Sequence, residues 1–247
     1  MTLRRSELIA LLLLAFCGAA SGAPKPVPGK IVDAGSFGIF VGGRRVGTEK
    51  FQIEQQAGFS LATSELTVED GATGARQSAE LKLAANGTLQ RYAWRELSPG
   101  KGESVVELNN DFLVQRTRDG ASNKSEEQPY ILTASTIILD DYFFSQRELM
   151  AWRYLASACP GQTPCQLTRA QFPVLVPRQR LSTLVNIEYV GREKVNLAGV
   201  ERELDRFNIQ SDGSDWALWF DQDYKLLRIL IAADNVEVIR DPVTPAK

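Results

Sequence analysis

The sequence predicts a mainly β protein: a single strongly curved antiparallel sheet, a half-open barrel, with one central helix packed on its concave face. Three observations lead there. Short runs of alternating polar and apolar residues recur along most of the chain, divided by turn signals such as Asp70-Gly71, Asn86-Gly87 and Ser98-Pro99-Gly100. One stretch, Leu139–Cys165, breaks that rhythm with helical spacing. Two late runs are apolar on both faces, so their sheet must be covered twice or curve around something.

The β runs come first in the argument. Phe37–Val41 and Val46–Glu54 flank Gly42-Gly43-Arg44-Arg45, a hairpin signal. Further runs are expected at Ser60–Val68, Gln77–Leu83, Leu89–Glu96, Ser104–Leu108 and Phe112–Arg118. Asp119–Gln128 is polar and reads as a mobile loop, and Tyr130–Leu139 as a strand approaching the helix. Past the helix come Phe172–Val176, Ser182–Val190, Glu203–Gln210, Trp216–Phe220, Leu226–Ala232 and Val236–Arg240. Even spacing without intervening helices indicates a meander rather than βαβ units. In Trp216–Phe220 one face carries Trp216, Leu218 and Phe220 and the other Trp219. In the next run Leu227, Ile229 and Ile231 alternate with Leu226, Arg228 and Leu230.

The helix has a start signal. Ser145-Gln146-Arg147-Glu148 has the form of a capping box, and Phe144 with Leu149 has the spacing of a hydrophobic staple. A helix from Ser145 to about Ala158 follows, roughly 20 Å long at 1.5 Å per residue. Pro160-Gly161 ends it. Met150, Tyr154 and Ala158 fall together on the wheel, beside Ala151 and Leu155, with Leu149, Trp152 and Ala156 on the other flank. Gln146, Arg153 and Ser157 form a narrow polar strip, with Arg147 and Glu148 near the start. So apolar a helix is expected to be buried, as a core helix or as one that also lines a ligand cavity.

Residues 1–22 read as a secretory signal: Arg4-Arg5, an apolar Leu8–Phe16, then small residues, with cleavage near Gly22. The apolar run is shorter than the roughly 20 residues that span a bilayer. Cys17 sits in a lipobox-like Leu14-Ala15-Phe16-Cys17, but bulky Phe16 argues against lipidation. The expected organisation is a signal peptide (1–22), a proline-rich flexible leader (23–30), one β-rich domain (31–241) and a tail (242–247). The expected location is periplasmic or secreted, and the protein is not expected to span a membrane. Loss of Arg4, Arg5 and Glu7 takes the net charge from −2 to −3, which argues against nucleic acid as a partner. The sequence contains no histidine, which removes Ser-His and Cys-His nucleophile pairs and histidine metal sites. Cys159 and Cys165, separated by Pro-Gly-Gln-Thr-Pro, suit a small disulfide loop in an oxidising compartment, worth roughly 2–2.5 kcal/mol. Their spacing does not match the redox Cys-x-x-Cys pattern.

No catalytic constellation is legible, and no enzyme, cofactor or metal is expected. Asp140-Asp141, Asp212/Asp215 and Asp221/Asp223 sit where turns and helix approaches favour aspartate. Ser60, Ser104 and Ser182 lack a nucleophile-elbow frame, and Gly42-Gly43 precedes a strand rather than a helix.

Three segments carry a resemblance: Phe37–Gly47, Tyr189–Val195 leading to Leu204-Asp205-Arg206-Phe207, and Leu218-Trp219-Phe220-Asp221 with Tyr224–Arg228. Together they resemble uncharacterised exported β-rich bacterial proteins and, more distantly, the periplasmic lipoprotein-carrier half-barrel. That fold implies a half-open antiparallel barrel with helical cover over an apolar concavity. The carriers have several covering segments where this chain has one clear helix. The resulting expectation is a soluble periplasmic protein that binds or carries an apolar ligand (lipid, acyl chain or lipidated partner) between sheet and helix. Phe143, Met150, Trp152, Tyr154 and Trp219 are the expected lining. The alternative is a non-enzymatic envelope interaction or assembly module, with a protein partner, whose apolar surfaces are only core.

Overall fold

The computed structural model describes residues 29–69, 74–159, 167–197, 199–211 and 213–242. The expected signal peptide, most of the leader, Cys165 and the last five residues lie outside them. The strands are β1 (Lys30–Val41), β2 (Arg44–Gln55), β3 (Phe59–Val68), β4 (Arg76–Ala84), β5 (Leu89–Ser98), β6 (Glu103–Asn109), β7 (Phe112–Arg118) and β8 (Ser125–Tyr130). After them come β9 (Ile137–Ile138) and the helix α1 (Ser145–Ala158). The remaining strands are β10 (Ala170–Val176), β11 (Leu181–Leu197), β12 (Val200–Ser211), β13 (Ser214–Phe220), β14 (Leu226–Ile231) and β15 (Val236–Arg240).

All of these strands lie in one curved, unclosed sheet, ordered β8-β7-β6-β5-β4-β3-β2-β1-β15-β14-β13-β12-β11-β10-β9. Each half is an up-and-down meander, and β1 joins them by pairing antiparallel with β15. Among the described residues the one parallel pair is β9 with β10. The outer strands β8 and β9 do not pair with each other; side chains and an intervening segment bridge that seam instead. Gln115 on β7 donates to the Pro177 carbonyl after β10 (2.9 Å), and Arg180 reaches Glu126 on β8 (2.6 Å). The Leu113 amide donates to Leu132 in the crossing segment (3.1 Å).

Local chemistry accounts for the hairpins. Gly42 and Gly43 take φ of +57° and +77°, the left-handed pair that a two-residue type I′ turn requires and that matches the twist of the flanking strands. Period-2 alternation then sets which residues face inward. Phe37 and Ile39, Phe51 and Ile53, Leu218 and Phe220 all point into the core, and Trp219 points out, as the sequence indicates.

Four local expectations are corrected. Residues 119–128 are not one loop, because Ser125–Tyr130 pairs with β7, held by cross-strand ion pairs such as Arg116–Glu127 (2.8 Å). Its exposed Glu126, Glu127 and Pro129 discourage further strand addition at this edge. Tyr130–Leu139 is not a strand over its length; only Ile137–Ile138 pairs. Leu226 and Leu227 exchange faces because a register shift between Trp219/Arg228 and Phe220/Leu226 inserts an extra residue, so Leu226 joins the core and Leu227 joins Trp219 outside. The leader does not extend through residue 30, since Lys30 already pairs with Gln55.

The helix lies within the curve and completes the core. Phe207 on β12 is the aromatic centre of this packing. It meets Tyr154 of α1 edge-on (6.0 Å), Phe220 (5.1 Å) and Tyr224 (6.5 Å), and tilts against Tyr189 (5.3 Å). Phe207→Ala should therefore destabilise the fold by about 3–5 kcal/mol, read as a lower denaturation midpoint in urea.

Candidate functional site

The most distinctive chemistry is the seat of α1, where charged and hydroxyl side chains are buried inside an otherwise apolar barrel. On β2, Glu49 occupies an inward position two residues before Phe51, and on β3 Ser64 points inward between Ala62 and Leu66. The strand period thus delivers a carboxylate and a hydroxyl to one spot on the concave face. Glu49 accepts from the Phe144 amide (2.6 Å), the Ser145 amide (3.3 Å), the Ser145 hydroxyl (2.7 Å) and the Ser64 hydroxyl (2.7 Å). A carboxylate from another strand therefore satisfies the open amides of the helix N terminus and sits at the positive end of its dipole.

The capping box is not formed. Phe144, in right-handed helical conformation, is the residue preceding α1, and no side chain of the local segment caps it. Ser145 turns its hydroxyl to Glu49 rather than to its own chain, and Glu148 points away. Burial pushes the Glu49 carboxyl above its ordinary range, opposed by its hydroxyl and amide donors.

A second cluster flanks the first. Asp140, fully buried before α1, accepts from the Tyr92 hydroxyl on β5 and from Arg178 Nε (2.9 Å), while its amide donates to Gln146 Oε1 (2.6 Å). Burial and then the Asp140 carboxylate raise the Tyr92 phenol well above its usual range. Arg178, in the short 3-10 turn after β10, also donates to Gln77 Oε1 (2.7 Å) and to the Asp141 carbonyl, and lies over the rings of Phe143 and Trp94. Arg147 donates to the Asp140 and Phe143 carbonyls (2.6 and 2.9 Å), with its guanidinium 4.6 Å from the Trp216 ring centre. Burial lowers its pKa to about 10.

The third group is Asp33 on β1 with Arg240 on β15, paired through two bonds of 2.7 Å, with Lys225 at 3.6 Å from Asp33. Burial would raise the Asp33 carboxyl, but Arg240 and its neighbours outweigh this and hold it below the ordinary value. Glu148 of α1 faces this pair. Gln146, Arg147 and Glu148, read from the sequence as polar residues at the helix start, are thus all buried and directed into the barrel.

The expected lining residues separate. Phe143, Met150 and Tyr154 are brought together in the core, each with 0% exposure. Trp152 is half-buried at the middle of the helix, two turns on from the Glu49 seat, donating to the Tyr224 carbonyl (2.7 Å). Trp219 lies on the outer face with Val195, Leu204 and Leu227, flanked by Arg228 (4.8 Å) and Arg206 (5.6 Å). The sheet separates it from the other four. Open clefts of about 450 Å³ (bordered by Lys50, Glu65, Arg91 and Arg95 but also by Phe51 and Ala93) and about 620 Å³ (Arg169, Gln171, Asn186, Asp215) lie elsewhere, and none of the five residues lines them. Cys159 follows the helix as its C-cap. Among the described residues no cluster of three or more Cys, Asp or Glu groups could hold a metal, and no helix is long and apolar enough to cross a membrane. The seat residues that the sequence did not single out are Glu49, Asp33 and Tyr92, and Arg178, which the sequence suggests as a solvated basic pair with Arg180, is instead bonded to Asp140 and Gln77; an acidic residue at an inward strand position, as at Glu49, is the one signal that was available.

The molecule is thus defined as a β-barrel-like protein with a polar-seated internal helix. It is similar in fold to a β-barrel-like protein of the domain of unknown function DUF1849 from Brucella abortus, with TM-score 0.52 and 9% identity over 90% of this chain and 98% of that one. A second structure, a DUF1089 family protein from Pseudomonas aeruginosa, aligns with TM-score 0.44 and 10% identity over 74% of this chain and 89% of that one. No family model and no curated protein matches the sequence.

Replacing Glu49 with alanine removes the acceptor of the Phe144 amide and leaves the buried Ser64 and Ser145 hydroxyls only their bond to each other (2.9 Å). At about 1–3 kcal/mol for each unsatisfied group, the loss should reach roughly 3 kcal/mol or more. Ser145→Ala should cost about 1 kcal/mol, with both values read from urea denaturation.

Proposed function

We propose that this is a non-catalytic binding protein of the bacterial cell envelope, exported by its N-terminal signal and clasped at the helix exit by a Cys159–Cys165 disulfide. Its ligand is an apolar chain: a lipid, an acyl group or a lipidated partner. That ligand competes with α1 for the concave face of the sheet. One observation supports this reading most. A long apolar concavity is filled by a single helix whose first turns are fixed largely by charge-assisted hydrogen bonds rather than by apolar contact alone. Polar anchors can be rehydrated when the helix leaves, so withdrawal is less unfavourable than for a wholly apolar plug. Burial of an acyl chain would then supply affinity at roughly 25 cal/mol per Å² before ordering costs.

A second reading, an interaction or assembly module with a protein partner, draws on the complete burial of Phe143, Met150 and Tyr154, which leaves the resting interior occupied by the protein itself. Native mass spectrometry and lipid extraction of protein purified gently from its envelope separate the two. Co-purifying lipid supports the carrier, whereas a clean apo mass with no binding of a fluorescent fatty acid removes it. Trp152→Ala should weaken fatty-acid binding about tenfold, since truncation of an aromatic anchor costs over 1 kcal/mol, while moving the melting temperature by only a few degrees. Equal loss of both would return Trp152 to a structural role.

A further inference from the structure

Glu148 is the one carboxyl of the helix seat whose oxygens both lack a hydrogen-bond partner among the described residues, and it has 0% exposure. Its surroundings explain why it cannot carry a charge comfortably. The group it faces is Asp33, another carboxyl, which already takes both Arg240 bonds at 2.7 Å, the Ala34 amide at 2.9 Å and the approach of Lys225. Arg240 in turn also feels Asp221. The Asp33 carboxyl and the Leu226 amide both act on Glu148 at close range, but neither makes a bond of ordinary geometry with it. A single guanidinium committed to Asp33 leaves no uncommitted cation for a second buried anion.

We infer that Glu148 is a proton-held latch: neutral, it allows α1 to lie in the concave face, and when its proton passes to solvent the buried negative charge beside Asp33 drives the helix out. The direction follows from linkage. Burial, then the charge of Asp33, raise the Glu148 carboxyl well above its ordinary value of 4.5 in the closed form. The docked helix is therefore fully favoured below that ordinary value and loses ground as pH rises toward the raised one. In this window the fraction of undocked helix should grow about tenfold per pH unit. The use of such a latch to admit a ligand rests on the proposed function, but the latch itself does not.

Hydrogen exchange of the α1 amides from pH 5 to 9, expressed as protection after correction for the intrinsic pH dependence, tests it without any ligand. The natural protein should lose protection in α1 as pH rises, up to about tenfold per unit, while β2 and β3 stay protected. Glu148→Gln should flatten this dependence. Asp33→Asn frees Arg240 for Glu148 and should make the dependence shallower, which keeps the test open should the glutamine variant fail to fold. Protection that does not change with pH overturns the latch. An unchanged slope in Glu148→Gln overturns it as well and assigns the titration to Glu49, the other buried carboxyl of the seat with a raised pKa. A pH-dependent helix with no lipid in the native mass spectrum would keep the latch and remove the carrier. Bound lipid with a pH-independent helix would do the reverse.

Discussion

The bond set around Glu49 is the constraint on which the rest of the arrangement depends. A helix inside a sheet must leave its first amides with some partner, and the core of a barrel holds little water to supply one. Here the partner is a carboxylate carried by β2, which fixes the depth of α1 and its rotation at once. With that rotation set, Met150, Ala151 and Tyr154 enter the apolar core, Arg147 meets Trp216, and Glu148 is turned toward Asp33.

The same arrangement sets two kinds of interaction against each other. Apolar packing around Phe207 holds the helix in place without direction, whereas the polar seat holds it in one register and carries the desolvation of several charged groups. Glu49 and Asp140 are well supplied with donors; Glu148 is not. The least compensated group lies on the helix rather than on the sheet.

The outer face is organised differently. A ladder of ion pairs crosses the strands from Glu80 through Arg91, Glu107 and Arg116 to Glu127, which balances charge and solvates the meander. Trp219 belongs to this outer surface, in a small cluster that packs the long β11–β12 hairpin onto β13 and β14. The late strands are apolar on both faces for two separate reasons: one face meets the helix and the other this cluster.

Chain-local patterns were legible in the sequence. Phe112–Arg118 and Val236–Arg240 form strands at the expected bounds, the Gly42-Gly43 turn closes the expected hairpin, and α1 runs from Ser145 to Ala158 as its spacing indicates. Such features depend on alternation, helical period and turn chemistry within a few residues. Tertiary structure decided where those features act. Glu49 and Ser145 stand 96 positions apart, and only the curvature of the sheet brings them to 2.7 Å. Glu148 had an acceptable local partner in the helix start, but the chain turned it instead toward a carboxyl on β1. The bulge at Leu227 exchanged two faces through a register shift that alternation cannot encode. Which residues pair with the helix seat is set by the closing geometry of the whole sheet, and no short window of sequence contains it.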